Sequence, residues 1–106
     1  MTAAAAMQAG AAGSFQLSGA LTVATVAALR QQGLQNFRRS DAQALNVDLR
    51  GVTAADSAGL ALLIDWLAWA EAEGRPLRFD ALPPTLLALA TLSEVDTLLQ
   101  PTSAAS

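Results

Sequence analysis

The chain of 106 residues contains no cysteine, no histidine and no lysine. Without cysteine it has neither a disulfide framework nor a thiolate nucleophile, and without histidine it lacks the commonest general base and metal ligand. Without lysine it has no Ser–Lys pair and no Walker phosphate loop. Its carboxylates are scattered, without the spacing of metal ligands. The sequence therefore predicts no enzyme, no catalytic residue, no metal site and no cofactor.

Charge is also scarce, because charged residues make up 14% of the chain, against about 25% in typical globular domains. The net charge of −3 argues against nucleic acid as a partner and against charge-driven docking on anionic lipid. No apolar run approaches the ~18 residues of a membrane span, and the alanine-rich start lacks the positive region of a secretory signal. We therefore expect a cytoplasmic protein without direct membrane insertion, whose lightly charged surface is partly covered by a partner.

The apolar pattern predicts a single domain between two tails. Residues 1–13, mostly alanine and glycine, are expected to form a flexible N-terminal tail, residues 14–100 the domain, and residues 101–106 a C-terminal tail. Strand-like and helical segments alternate in the domain, which favours right-handed crossovers and a mostly parallel sheet. The predicted strands are 14–21, 44–49 and 77–80, and the predicted helices are 23–37, 57–73 and 83–93, followed by a short apolar segment with Val95, Leu98 and Leu99.

Three residues near the first predicted helix carry specific predictions. Val23 opens the apolar stripe of that helix, and Thr22, just before it, is a candidate N-cap. Gly33 is a poor residue for a helix interior, so it is a candidate C′ residue at which the helix ends. Further along the chain, residues 51–55 are expected to form a turn between a strand and the main helix.

This turn leads to Asp56 and Ser57, which stand at the start of the main predicted helix. Both are good N-cap residues, and the free backbone N–H groups of a helix N-terminus attract anions. A carboxylate, a hydroxyl and free N–H groups are thus expected to meet at one point. If the chain has a functional site, this junction is the best candidate.

The same region resembles the signature of the STAS domain, in which a strand ends in Asp-Leu and Asp-Ser-x-Gly-Leu opens a helix. Here the signature reads Asp48-Leu49 and Asp56-Ser57-Ala58-Gly59-Leu60. The family includes the anti-sigma-factor antagonists, and the continuation Leu60-Ala61-Leu62-Leu63 is similar to its MlaB group, the STAS subunit of the bacterial phospholipid-trafficking (Mla) ABC transporter. The resemblance covers Phe15 to Leu99. It implies an α/β fold, a small STAS-like, mixed and mostly parallel sheet with helices packed against it.

Three roles for Ser57 stay open. In the anti-sigma-factor antagonists that the chain resembles, the matching serine is phosphorylated by the partner kinase, and a helix N-terminus would stabilise a phosphate there. In the transporter subunit the matching hydroxyl lies against the ATPase, so that Ser57 would form a hydrogen bond across that interface. The third role is structural, since Asp56 or Ser57 is expected to cap the helix, which stabilises it by ~1 kcal/mol.

The main predicted helix is apolar nearly all round. Its expected core stripe consists of Leu60, Leu63, Ile64 and Leu67. A second stripe consists of Leu62, Trp66 and Trp69. Two readings of the second stripe remain open. Tryptophan is enriched at interface hot spots, which makes the stripe a candidate contact surface. Alternatively, the first and last helices cover it and both tryptophans belong to the core.

The resemblance and the apolar stripe together lead to a hypothesis of function. The chain is predicted to be a non-catalytic accessory subunit for lipid transport and outer membrane lipid asymmetry. It would bind the ATPase subunit of an ABC transporter, which is in a complex with a permease at the inner face of the inner membrane. The alternative is an anti-sigma-factor antagonist whose partner is a kinase that phosphorylates Ser57. The residues predicted to bind the partner are Thr53, Asp56, Ser57, Ala58, Ala61, Leu62, Asp65, Trp66 and Trp69.

Overall fold

Residues 5–93, which the computed structural model describes, fold into a four-stranded sheet with three helices packed against it. The elements are β1 (Ala5–Ala9), β2 (Ser14–Leu21), α1 (Val26–Arg39), β3 (Leu45–Ala55), α2 (Ser57–Ala72), β4 (Leu77–Asp80) and α3 (Pro84–Leu92). β1 pairs antiparallel with β2, whereas the β2–β3 and β3–β4 pairs are parallel. The expected mixed, mostly parallel α/β sheet is confirmed. Outside the described residues lie the predicted tail 101–106 and the segment with Val95, Leu98 and Leu99.

β1 occupies part of the region for which the sequence predicts a flexible tail. It pairs along its whole length with β2, with Met7 opposite Leu17, and the Met7 side chain is buried in the core. The connection to β2 includes Gly13, whose φ of 78° favours glycine. The tail prediction is therefore wrong for Ala5–Ala9. Alanine is a weak strand former, so this strand results from pairing with the edge of β2, which composition does not reveal.

Alternate residues of the strands divide the sheet into a core face and an open face. The core face is covered by the helices, and its buried side chains include Phe15, Leu17, Val47, Leu49 and Phe79. The open face is polar and includes Gln8, Gln16, Asn46, Asp48 and Arg78. Asn46 is the polar exception in an otherwise apolar central strand, and its Nδ2 donates to Asp80 Oδ2 at 2.5 Å on this open face.

α1 differs from its predicted course at its start and in its middle. It begins at Val26 and continues through Gly33, which therefore does not end it. Val23 lies in the preceding loop, where its side chain is 78% exposed. The Thr22 side chain is not the N-cap, although its carbonyl oxygen accepts the N–H of Val26 at 3.0 Å. Position 33 requires glycine inside the helix because the indole of Trp66 occupies the space that a side chain at this position would need.

Arg75 satisfies carbonyl groups at the C-terminal end of α1. Its guanidinium donates to the carbonyl oxygens of Phe37 at 2.8 Å and Ser40 at 3.0 Å, and to that of Ala42. The last carbonyls of a helix have no partner within the helix, and a charged donor makes the stronger bond. We therefore expect Arg75→Met to lower the free energy of unfolding by about 2 kcal/mol, measured by urea denaturation followed by circular dichroism.

Arg78→Met is the matched control for this prediction. Arg78 lies on β4 with its side chain 75% exposed, and its distance to Asp80 Oδ1 is 3.8 Å. Removal of an arginine from such a position is expected to change the free energy of unfolding by no more than about 0.5 kcal/mol. If both variants lost the same free energy of unfolding, the assigned role of Arg75 would be contradicted. The loss would then come from the removal of a positive charge and not from the hydrogen bonds of Arg75.

Candidate functional site

Asp56 holds the first turn of α2 and joins it to a loop earlier in the chain. Its Oδ1 accepts the backbone N–H groups of Ala58 at 2.9 Å and Gly59 at 3.2 Å. Its Oδ2 accepts the N–H of Val23 at 3.2 Å, in the loop between β2 and α1. Asp56 is therefore the N-cap of α2. The same carboxylate fixes the position of Val23 relative to the start of α2.

Ser57, the first residue of α2, is exposed and is not needed as the cap. The N–H groups of the next two residues are bonded to the Asp56 carboxylate, and that of Leu60 donates to the Asp56 carbonyl oxygen at 3.2 Å. A phosphate on Ser57 would have to displace Asp56 to reach these groups. The Ser57 hydroxyl is thus accessible to a second molecule. The N–H groups that would bind a phosphate already donate hydrogen bonds to Asp56.

β3 continues to Ala55, through the residues that are predicted to form a turn. Four of the residues 51–55 pair in parallel with residues 18–21 of β2, and the register shifts between Gln16 and Ser18 and again between Gly19 and Ala20, where Thr53 is passed over. The turn prediction is wrong because β2 offers these residues backbone hydrogen-bond partners, which satisfy groups that would otherwise need water. The longer strand carries the exposed residue Thr53 to the end of the sheet at which α2 begins.

Gly59 allows α2 to start directly against the end of β2. A Cβ on Gly59 would lie 2.6 Å from the backbone carbonyl oxygen of Leu21 and 2.8 Å from the Leu21 Cβ. Only glycine permits so close an approach between two backbones. The glycine of the Asp-Ser-x-Gly-Leu motif is therefore required by packing. Its physical effect is to hold the first turn of α2, and with it Ser57, at a defined distance from the sheet.

Burial separates the residues predicted to bind a partner into two groups. Leu62 and Trp66 are 4% and 0% exposed, so both side chains are buried in the core of this chain, and of the two only Leu62 reaches the lining of a groove. The reason is that α2 packs against α1, α3 and β3, which leaves only part of its surface open. The exposed members are Thr53, Ser57, Ala61 and Asp65, and the partly exposed members are Asp56, Ala58 and Trp69.

Both tryptophans of α2 join an aromatic cluster around Phe37. The rings of Phe37 and Trp66 meet edge to face with centroids 5.5 Å apart, and Trp69 stacks on Phe37 at 5.6 Å. Phe15 also belongs to the cluster, with its ring centroid 5.3 Å from that of Phe37. Aromatic pairs of this kind contribute about 0.5–1.5 kcal/mol each. The core reading is therefore correct for Trp66, whereas Trp69 is packed on one side and partly open to solvent.

The open part of α2 borders a groove that the sequence does not predict. The groove has a volume of about 350 Å³ and is lined by Val26, Ala27, Arg30, Ala58, Ala61, Leu62 and Asp65. We define the α1–α2 patch as the lining residues Ala27, Ala58 and Ala61 together with the exposed residues Val23 and Ser57. Small apolar side chains and one hydroxyl therefore make up this patch.

The sequence predicts neither Ala27 nor Val23 as a contact residue, and for Val23 it predicts burial. The apolar character of Val23 suits the buried stripe of a helix, and so it is predicted to face the core. The signal against that prediction is the composition of the segment, because Thr22 and Thr25 flank Val23 and threonine is a weak helix former. Thr25 is buried in this loop, where its Oγ1 accepts the N–H of Thr22 at 3.1 Å and donates to the carbonyl oxygen of Ala20 at 2.6 Å.

No member of the α1–α2 patch has a charged side chain, and the two charged residues that line the groove pair with each other. At the groove, Arg30 Nε lies 2.5 Å from Asp65 Oδ2, and each side chain is 50% exposed. Such an exposed pair contributes no more than about 1 kcal/mol to stability. Asp65, which is predicted to bind a partner, is thus engaged with α1. A partner on this patch would meet uncharged side chains, beside the Asp56 carboxylate, which is bound by the N–H groups of Val23, Ala58 and Gly59.

The rest of residues 5–93 adds no stronger candidate. In this part of the chain, no group of three or more Asp or Glu residues is placed to hold a metal ion. None of the helices in the same range has the length and the apolar character that a bilayer requires. A second cleft lies on the open face of the sheet near Gln16, Asp48 and Arg50. Its two charges compensate each other, because Arg50 Nη2 lies 3.6 Å from Asp48 Oδ2, and the backbone N–H of Arg50 also donates to Asp48 Oδ1 at 2.8 Å.

Comparison with known proteins relates this arrangement to one family. A sequence profile of the STAS domain of the MlaB type ("Mlab, STAS domain") matches residues 4–100. No curated protein sequence matches the chain. The fold is similar to that of the anti-sigma factor antagonist SpoIIAA in its unphosphorylated form, with a TM-score of 0.68 and 15% identity over 88% of this chain and 83% of that one. Phosphorylated SpoIIAA, a Bacillus cell fate determinant, gives 0.65 and 16% identity over 87% and 85%.

Proposed function

The chain belongs to the MlaB-like family of STAS domains, as the sequence motif indicates, and we propose that it is a protein-binding subunit of a bacterial phospholipid ABC transporter of the Mla type. STAS domains generally bind protein partners such as kinases or ATPases. The partner proposed here is the ATPase subunit, in a complex with a permease. In this role the chain would lie at the cytoplasmic face of the inner membrane, held there by the ATPase, and would support outer membrane lipid asymmetry.

The single observation that carries this proposal is the neutral α1–α2 patch around an available hydroxyl. Val23, Ala27 and Ala61 present apolar side chains to solvent close to Ser57. Exposed apolar surface of this kind is typical of protein–protein contacts, and small side chains allow a partner helix to approach closely. Ser57 Oγ would then form a hydrogen bond to the partner within a contact that excludes water.

The proposed action on the ATPase needs no chemistry from this chain. A protein that binds only the folded form of its partner stabilises that form by mass action. The chain would therefore stabilise the ATPase and tune its hydrolysis through contacts made by Thr53, Ser57 and the exposed side of α2. A non-catalytic role also agrees with a sequence that has no histidine, cysteine or lysine to activate Ser57.

A second candidate function is that of an anti-sigma-factor antagonist switched by phosphorylation of Ser57. The similarity to SpoIIAA, which has phosphorylated and unphosphorylated forms, favours it, as does the exposure of Ser57. Phosphorylation would add about two negative charges to the neutral patch and repel an acidic partner. Against this function stands Asp56, because its carboxylate already occupies the N–H groups of Ala58 and Gly59.

Ala61→Arg is the substitution that tests the patch. Ala61 is exposed on α2, so the variant is expected to fold with unchanged stability while its long charged side chain obstructs a close contact. We expect the wild-type chain to capture an ATPase and a permease from a membrane-containing extract of its own cells. The purified ATPase should bind Ala61→Arg at least ~10-fold more weakly, about 1.4 kcal/mol, in calorimetric titration.

Ala88→Arg is the control, since Ala88 is exposed on α3 and lies outside the patch. It should bind the ATPase as the wild-type chain does. Equal binding by Ala61→Arg would show that the partner docks elsewhere. Capture of a small kinase without an ATPase would favour the second candidate, for which Ser57→Asp should abolish capture and a purified kinase should modify the wild-type chain but not Ser57→Ala.

A further inference from the structure

The outer edge of β1 is covered by a side chain from α1. Gln32 accepts the backbone N–H of Met7 through its Oε1 at 3.0 Å, and the two residues are 25 positions apart in the chain. Met7 is the central residue of the five-residue strand β1, which is the first strand of the sheet. The carboxamide of Gln32 therefore lies where a backbone carbonyl group would lie if another strand were added to the sheet.

Apart from this bond, β1 has the properties of a strand edge that pairs readily. In an antiparallel ladder, alternate residues direct their N–H and C=O groups to the outer side, so Ala5 and Ala9 point the same way as Met7. Natural edge strands avoid pairing by means of charges, prolines and bulges. β1 reads Ala-Ala-Met-Gln-Ala and pairs with β2 in a regular register. Residues 5–9 thus have none of these devices.

We propose that Gln32 is the group that keeps this edge from pairing with β1 of a second copy of the chain. Two β1 strands are self-complementary when they run antiparallel about a two-fold axis through Met7. In that arrangement Ala5 of one copy faces Ala9 of the other, and all the outward backbone groups find partners. Neither β1 strand has a charged side chain that would oppose the pairing. The two β1 strands can pair only after the carboxamide of Gln32 has released the Met7 N–H.

The test compares the mass of the wild-type chain and of Gln32→Ala in solution, by size-exclusion chromatography with light scattering over a series of concentrations. The wild-type chain should be a monomer of 10.9 kDa, and Gln32→Ala should shift to about twice that mass as its concentration rises. Adding Ala9→Pro to Gln32→Ala should restore the monomer, because proline removes an outward N–H and is tolerated at the solvent side of an edge strand.

Two controls separate this effect from a general change in α1. Gln31→Ala removes an equally exposed glutamine from the neighbouring position and should remain a monomer. Gln32→Glu keeps an acceptor within reach of the Met7 N–H and places a negative charge at the edge, so it should also remain a monomer. Dimerisation of Gln31→Ala to the same extent as Gln32→Ala would overturn the proposal.

Amide hydrogen exchange measured by NMR shows whether the edge of β1 has opened in Gln32→Ala, which the mass alone does not. If Gln32→Ala stays a monomer while its Met7 amide exchanges faster, the edge is open yet unpaired, and the proposal is overturned. Loss of protection at Gln8, whose N–H faces β2, would show that Gln32 holds β1 in place and does not shield it, which also overturns the proposal. A wild-type chain that is already a dimer, and that Ala9→Pro converts to a monomer, would contradict the proposal as well.

Discussion

Gly33→Ala is expected to destabilise the domain, although alanine is the better helix former. In a helix interior glycine costs about 1 kcal/mol relative to alanine. A Cβ on Gly33, however, would lie 2.7 Å from Cε2 and 2.9 Å from Nε1 of Trp66, and closer still to Cζ2. This indole is fully buried and packed against Phe37, so it has no space into which it can move. We expect overpacking to prevail and to lower the free energy of unfolding by about 2 kcal/mol.

The sign of this effect should reverse once the indole is removed. Trp66→Phe keeps an aromatic ring beside Phe37 but deletes ring atoms next to Gly33. It also removes the buried indole N–H, which has no hydrogen-bond partner among residues 5–93. In that background, Gly33→Ala should raise the free energy of unfolding by about 0.5–1 kcal/mol, because only the helix propensity remains.

A double-mutant cycle measures this coupling between Gly33 and Trp66. Urea denaturation of the wild-type chain, the two single variants and the double variant should give an interaction energy of about 2–3 kcal/mol. An equal effect of Gly33→Ala in both backgrounds would show that the indole is not what excludes a side chain from this position. The result also bears on α2, because the Gly33–Trp66 contact sets the distance between α1 and α2 on which the α1–α2 patch depends.

Gly59→Ala should have an effect of similar size for a different reason. The added Cβ would meet the backbone of Leu21, at 2.6 Å from its carbonyl oxygen, and no side-chain rotation can relieve a contact with backbone. The first turn of α2 would have to move away from β2. We expect a loss of about 2–3 kcal/mol in the free energy of unfolding, which lowers the melting temperature by roughly 10 °C or more for a domain of this size.

The control for Gly59→Ala is Gly10→Ala. A Cβ on Gly10 would lie 3.6 Å from the Ser14 carbonyl oxygen, an ordinary contact, so the melting temperature should change little. Because Gly59 positions Ser57, we further expect Gly59→Ala to bind the proposed ATPase partner more weakly at temperatures where it is still folded. If Gly59→Ala were as stable as Gly10→Ala, the close approach of α2 to β2 would not be a rigid feature of the fold.

Several elements could be predicted from the sequence because a local period specifies them. β2 and β4 have the predicted bounds, residues 14–21 and 77–80, since apolar and polar residues alternate there as a half-buried strand requires. α2 begins at Ser57 as predicted, because Asp56 and the apolar stripe after it indicate a helix start in the residues themselves. In these segments, local preference and tertiary packing favour the same structure.

The wrong predictions concern residues whose structure depends on distant partners. β1 is poor in strand-forming residues and exists because β2 has an edge with which it can pair. Residues 51–55 look like a turn but extend β3, since the end of β2 lies beside them. Val23 looks like a core residue of a helix, yet the loop that carries it is held by Asp56, 33 residues away in the chain. Periodicity within a short window contains no information on such pairs.

The sequence by itself determined the fold class and the family, because these rest on local patterns and on one short motif, and it predicted the start of α2 as the candidate site. It also shows that the chain has no cysteine, histidine or lysine. Only the tertiary structure decided that Asp56 is the cap and Ser57 is exposed, that Trp66 is buried against Gly33, and that an uncharged patch remains open between α1 and α2. The reason is that capping and burial depend on how closely α1, α2 and β2 approach one another, which is settled by contacts between residues far apart in the chain.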